Sequence, residues 1–144
     1  MSARHAIENL IHTYAERIDL GDFAGVAELF REATYGVEGT EPYRGSAELA
    51  AVLTRVIKLH DGSPRTKHVT TNLIVEVDEA AGRAVAHSYF TVLQQVGQGR
   101  LQTVVAGRYH DRFERAGDRW RFSGRVIYMD LFGDVAEHLT FSPR

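Results

Sequence analysis

Cysteine is absent from the chain. That excludes disulfide staples, thiolate nucleophiles, iron–sulfur clusters and cysteine zinc sites. A strong charge imbalance is absent too: 17 basic residues face 19 acidic ones, for a formal net charge of -2. A protein that works mainly by neutralising phosphates needs a basic excess, so nucleic acid is not the expected partner. No run approaches the ~18 apolar residues of a membrane span, and "MSARHAIENL" lacks the apolar core of a signal peptide. These absences predict a soluble, cytoplasmic protein without membrane contact. The seven histidines, at 5, 12, 60, 68, 87, 110 and 138, show no tight ligand spacing, so no metal site is expected. The Gly-x-Gly of "GQGR" does not sit between a strand and a helix, as a dinucleotide loop would. It fits a hairpin turn.

What remains is 144 residues that are 44% hydrophobic, enough for one domain spanning residues 1–144. Apolar residues recur at three and four from Ala3 to Leu20 (Ile7, Leu10, Ile11, Tyr14, Ala15, Ile18), which predicts an amphipathic helix ending at Gly21. Asp22 is placed to cap a second helix running through Phe30, with Val26, Leu29 and Phe30 on its buried side. A short strand over Thr34 to Val37 and the loop "EGTEPYRG" follow. Ser46 is then expected to cap a third helix carrying Leu49, Val52, Leu53, Val56 and Ile57. After residue 66 the period changes, and β-rich segments at 68–78, 83–96, 101–115 and 119–131 are separated by short glycine-bearing turns. Helices first and long strands later predict an α+β fold, with helices covering one face of a curved antiparallel sheet. The tail "EHLTFSPR" carries no assignment.

Three clusters could carry chemistry. Asp19 falls in the last turn of the first helix, where the dipole disfavours a carboxylate by about 0.3–1 kcal/mol, yet it lies on the stripe of Ile11 and Ala15. Either the turn "DLGD" satisfies it through local amides, or a partner from elsewhere does. His68 in "TKHVTTN" opens a strand, and alternation places Asn72 on its face, with Val69, Leu73, Val75 and Val77 on the other. An imidazole bonded to a buried carboxylate has its tautomer fixed and its second nitrogen free to act as a base. Asp19 would supply that carboxylate. In "GRYHDRFER", Tyr109 shares parity with Gly107, Asp111 and Phe113, which makes its phenol the inward candidate. Tyr14, Tyr35 and Tyr43 are similar reserves; His87 and Ser88 are weaker options whose facing depends on any bulge. The arginines at 108, 112, 115, 119, 121 and 125 crowd two neighbouring strands, which reads as a solvated or subunit-facing sheet surface.

The segments "IHTYAERIDLGDFAGVAELF", "TKHVTTN" and "VVAGRYHDRFERAGDRWRF", in this order, resemble the SnoaL-like branch of the nuclear transport factor 2-like superfamily, near scytalone dehydratase and hexachlorocyclohexane dehydrochlorinase. The resemblance runs over roughly residues 4 to 140. It implies a cone, cystatin-like in outline, in which the curved sheet wraps against three helices around a pocket. It also implies a cofactor-free elimination in which an aspartate ending the first helix holds a histidine at the start of a later strand. Asp19 and His68 match those positions, and Tyr109 would complete the catalytic set. Tyr14, Phe30, Tyr35, Asn72 and Ser88 would line the substrate pocket. Ile18 stands where scytalone dehydratase has a tyrosine, Gly107 and Tyr109 stand near its pocket serine and asparagine, and the dehydrochlorinase's basic helix residue has no secure counterpart. The implied activity is therefore a lyase, or an isomerase or cyclase, acting on a small apolar, polyketide-like molecule. Non-catalytic ligand-binding modules and dioxygenase small subunits share the fold, and family members associate through the outer sheet face, which implies a homodimer or homotrimer.

Overall fold

A computed structural model describes residues 1–142. Helix α1 (Ala3–Asp19) starts where the Ser2 side chain accepts from the His5 amide, and it buries Ile7, Ile11, Tyr14, Ala15 and Ile18 along one stripe. Gly21 ends it at φ 74°, a left-handed conformation that costs glycine nothing. Asp22 caps α2 (Phe23–Leu29) by accepting from the Gly25 amide. Strand β1 (Thr34–Val37) and a two-residue β2 (Tyr43–Arg44) lead into α3 (Gly45–Val56). Ser46 does not cap α3: the helix begins at Gly45, two residues earlier than a Ser46 cap would start it, and the Glu48 carboxylate accepts from the Arg44 amide. Glu48 thus makes the reach-back half of a capping arrangement, and no described side chain accepts from the first-turn amides.

Four long strands follow: β3 (Thr66–Asp78), β4 (Arg83–Gln94), β5 (Gln102–Ala116) and β6 (Arg119–Phe132). They form an antiparallel meander within a six-stranded sheet of order β2-β1-β6-β5-β4-β3. The sheet is mixed, because β1 runs parallel to β6, pairing Thr34 with Gly124 and Val37 with Ile127. Its curvature has identifiable causes. Register breaks interrupt β3 between Thr71 and Ile74, and β5 against β6 at Ala106/Gly107 and Arg112/Phe113; such irregularities bend and twist a strand. At Gly107 a Cβ would collide with the Tyr128 carbonyl and crowd the Phe90 ring, so only glycine lets β6 come this close.

The β3 bulge overturns one expectation about that strand. Asn72 and Leu73 together oppose Ser88, and Asn72 takes φ 53°. The extra residue reverses the alternation. Thr66 and His68 point inward before the bulge, whereas Leu73, Val75 and Val77 point inward after it and pack on the core. Asn72 itself is exposed, as is Val69. The two faces are therefore an ordinary inside and outside, exchanged midway. Beyond β6, the segment 133–142 folds back across α3's end, where Leu139 bridges to Ile57 and the Thr140 amide donates to the Val56 carbonyl.

Candidate active site

Between the concave sheet face, α1, α3 and the returning tail lies a cavity of about 750 Å³. Its walls are mostly apolar, with Ile18, Val52, Leu53, Phe90, Val92 and Ile127 among them. The polar groups that reach it include His68, Tyr14, Tyr35, Tyr43, Tyr109 and His138. An apolar cavity of this size with a few convergent polar groups suits a small organic molecule.

Asp19 and His68 meet at one corner. His68 Nδ1 lies 2.6 Å from Asp19 Oδ1, the His68 amide donates to Oδ2 at 2.8 Å, and the Thr66 hydroxyl donates to Oδ1 at 2.8 Å. These donors come from the start of β3, and they supply what the helix terminus withholds from the carboxylate. The local-turn role in "DLGD" belongs to Asp22, which accepts from Gly25. Both side chains of the pair are nearly sealed, at 12% and 7% exposure for Asp19 and His68. Burial pushes the Asp19 carboxyl up, but the hydrogen bonds and charge of His68 outweigh it, and the net shift is downward. An ionised Asp19 accepts from Nδ1–H whether the ring is charged or neutral, and in the neutral ring this leaves Nε2 as the acceptor; no described residue hydrogen-bonds Nε2. Thr66 was legible in principle, since alternation places it beside His68.

Phenols also reach the cavity. Tyr14 and Tyr35 share a 2.6 Å hydrogen bond between hydroxyls, and Tyr109 stacks on Phe90 with its ring 5.9 Å from that of Tyr14. Burial pushes all three phenols above their ordinary range, so they stay protonated and able to donate. Phe30 does not reach the cavity. It packs behind the tyrosines, stacked on Phe122 at 4.5 Å and edge-on to Tyr14 and Tyr35. Ser88 is also a correction: it is buried opposite the bulge, outside the cavity wall, with its hydroxyl unpartnered. His87 points outward and stacks on His110 at 4.1 Å.

Arg125 departs from the surface role assigned to the arginine cluster. It is wholly buried and forms a bidentate pair with Asp111, at 2.7 and 2.9 Å. Burial opposes its charge, but Asp111 more than compensates and holds its pKa above the ordinary arginine value. Its guanidinium lies 3.6 Å from the Tyr109 ring centre and 4.3 Å from that of Tyr14, a cation–π sandwich under the cavity floor. His138, in the tail left unassigned, is the other residue that sequence patterning missed, since a turn has no period to read.

Among the described residues, no group of three or more histidine, aspartate and glutamate side chains could hold a metal ion, and no helix is long and apolar enough to cross a membrane. A search of curated proteins finds no match. Solved structures do match. A variant of Rv3472 from Mycobacterium tuberculosis, a protein of unknown function, is 26% identical with a TM-score of 0.73, covering 88% of this chain and 71% of that one. An NTF2-like protein with a cystatin-like fold from Novosphingobium aromaticivorans is 25% identical with a TM-score of 0.71, covering 93% and 85%. LinA is 23% identical with a TM-score of 0.71, covering 99% and 95%; at that identity the likeness carries the fold alone. The model of the SnoaL-like domain matches residues 1–126, and with the NTF2-like architecture this establishes that the chain belongs to the SnoaL-like domain family.

Proposed function

We propose that this protein is a cofactor-independent lyase, of the dehydratase type, or an isomerase or cyclase, acting on a small, largely apolar and polyketide-like substrate. The observation that carries the reading is a histidine fixed by a buried carboxylate, with its second nitrogen free, at the corner of an apolar cavity. His68 Nε2 removes a proton from a carbon next to a carbonyl, and Asp19 stabilises the resulting imidazolium. Negative charge collects on the carbonyl oxygen, where Tyr109 or the bonded Tyr14–Tyr35 pair donates. In an elimination, the C–H electron pair becomes the new double bond, and a hydroxyl on the next carbon leaves with its own pair, taking the proton from His68 to form water. In an isomerisation the same proton returns to a different carbon.

Both outcomes share the first step, so the test reads that step. Cyclic ketones incubated in D2O with the protein should exchange their α-protons, and Asp19→Asn should slow the exchange by about 10²–10⁴-fold while the protein stays folded. In proton NMR the His68 Nδ1–H should resonate far downfield in the parent and lose that position in the variant. Unchanged exchange in Asp19→Asn would overturn the mechanism.

A second reading rests on the outer sheet face, where Val69, Ile74, Val85 and Tyr89 lie exposed on the adjacent strands β3 and β4. Such an apolar face supports assembly, as a homodimer or homotrimer or against a larger dioxygenase-type subunit. Light scattering at micromolar concentration and native co-purification test it, and a monomer without partners would refute it.

A further inference from the structure

The returning tail is held at several points, and one of its groups is left over. The Lys58 amide donates to the His138 carbonyl at 2.9 Å. Lys58 Nζ donates to the Ala136 carbonyl at 2.6 Å, and the Gln94 side-chain Nε2 to the Glu137 carbonyl at 3.0 Å. His60 Nε2 lies 2.7 Å from that same Glu137 carbonyl. Every one of these contacts fastens tail backbone. The His138 side chain is different: it is 5% exposed, it lines the cavity, its Nδ1 has no hydrogen-bond partner, and it bonds to no described residue through Nε2. A buried polar group without a partner calls for an explanation, because a leucine would fill such space without the desolvation cost. The ring sits edge-on to His68, with centres 6.1 Å apart and planes at 66°. A molecule that touches His68 Nε2 is therefore within reach of both imidazoles.

We propose that His138 contacts the substrate directly, its imidazole hydrogen-bonding an oxygen borne on, or next to, the carbon that His68 deprotonates. The ligand class is a small cyclic ketone or alcohol. This rests on the assignment of His68 as the base. Burial, and then the neighbouring His68, push His138 down to about 4, so its ring is neutral at neutral pH. It carries one N–H to donate and does not compete with His68 for the substrate's proton. The tail is then part of the binding site and sets which oxygen pattern the cavity accepts.

The test uses 1-indanone and indane, which differ in one carbonyl. In nitrogen-detected NMR of the full chain, indanone should move the His138 ring signals and indane should not. His138→Leu should weaken indanone binding about 2- to 12-fold, the worth of one hydrogen bond, and leave indane binding unchanged; His138→Gln, which restores a donor, should recover part of the loss. If the His138 signals stay fixed with indanone at its solubility limit, or if His138→Leu weakens both probes alike, the contact does not exist. The parent titration decides the matter even if a variant fails to fold. Failure of the base assignment is read separately: an Nδ1–H signal of His68 indifferent to Asp19→Asn removes the base and leaves the indanone result standing.

Discussion

Two acid–base pairs of nearly equal bond length flank one cavity, one beneath its floor and one at its corner. Asp111–Arg125 joins β5 to β6 at 2.7 Å with both side chains at 0% exposure, and Tyr14, Tyr109 and Phe122 cover the guanidinium. Asp19–His68 joins the end of α1 to the start of β3 at 2.6 Å, and the histidine forms part of the cavity lining. The first pair is covered on every side, so it can only hold shape: it fixes the tyrosines from beneath. The second leaves one ring nitrogen open to a ligand. What separates a purely structural pair from one open to chemistry here is access: the first is sealed at 0%, and the second keeps 7% and 12% exposure for His68 and Asp19.

The largest expected effect breaks the sealed pair. Arg125→Met strands the Asp111 carboxylate in the core, and removing one partner of a buried pair costs about 3–5 kcal/mol. Urea unfolding should show that loss, and Arg125→Met with Asp111→Leu should regain most of it, because no charge is left uncompensated. Asp19→Asn should cost far less, since it strands no charge: the amide oxygen can still accept from the His68 backbone amide, and its NH2 then faces the Thr66 hydroxyl, which can turn to accept. Equal losses at the two sites would erase the distinction drawn between them.

A second, smaller effect separates the sites by pH. The folded chain holds His138 near 4, below its ordinary 6.5, so the unfolded chain binds this proton first. Stability is full above pH 6.5 and falls as pH drops from 6.5 to 4, by an amount on the order of 3 kcal/mol. His110, pushed down mainly by burial and then by His87, adds to the slope in the same direction, so the informative quantity is the difference between the parent and His138→Leu. Asp19 is depressed instead; its contribution is present above its unfolded value and disappears only below about pH 4. Chemical denaturation across pH 4–7 should give a flatter profile in His138→Leu, and identical slopes would contradict the burial of a neutral ring.

Much of the fold was written in periodicities that need no partner to be read. The stripe of Ile7, Ile11, Tyr14 and Ile18 specifies α1, Asp22 specifies the start of α2, and the inward parity of Gly107, Tyr109, Asp111 and Phe113 is that of the folded strand. Juxtaposition was less legible. Asp19 and His68 are 49 residues apart; their chemistry suggested a pair, but no spacing in the sequence could show contact. Arg125 looked like a surface residue because its neighbours Arg119 and Arg121 are; its own burial depends on meeting Asp111 across a strand pair. Ser46 falls inside the first turn of α3, because the helix starts two residues earlier than a Ser46 cap would set it. His138 lies in a turn, where no period exists to announce a buried side chain.

The smallest expected effect tests the residue that the bulge removed from the site. Asn72 is exposed at φ 53°, in a region that asparagine tolerates and glycine enters freely. In Asn72→Gly the backbone relief and the greater freedom of the unfolded chain oppose each other, so stability should stay within about 0.5 kcal/mol of the parent. Ligand binding and α-proton exchange should not change, because the side chain faces solvent on the far side of the sheet from His68. A clear fall in exchange with unchanged stability would return Asn72 to the cavity and place the parity switch elsewhere in β3. Asn72→Val sharpens the same point: a β-branched residue resists positive φ, so it should destabilise the fold and leave any residual folded protein fully active.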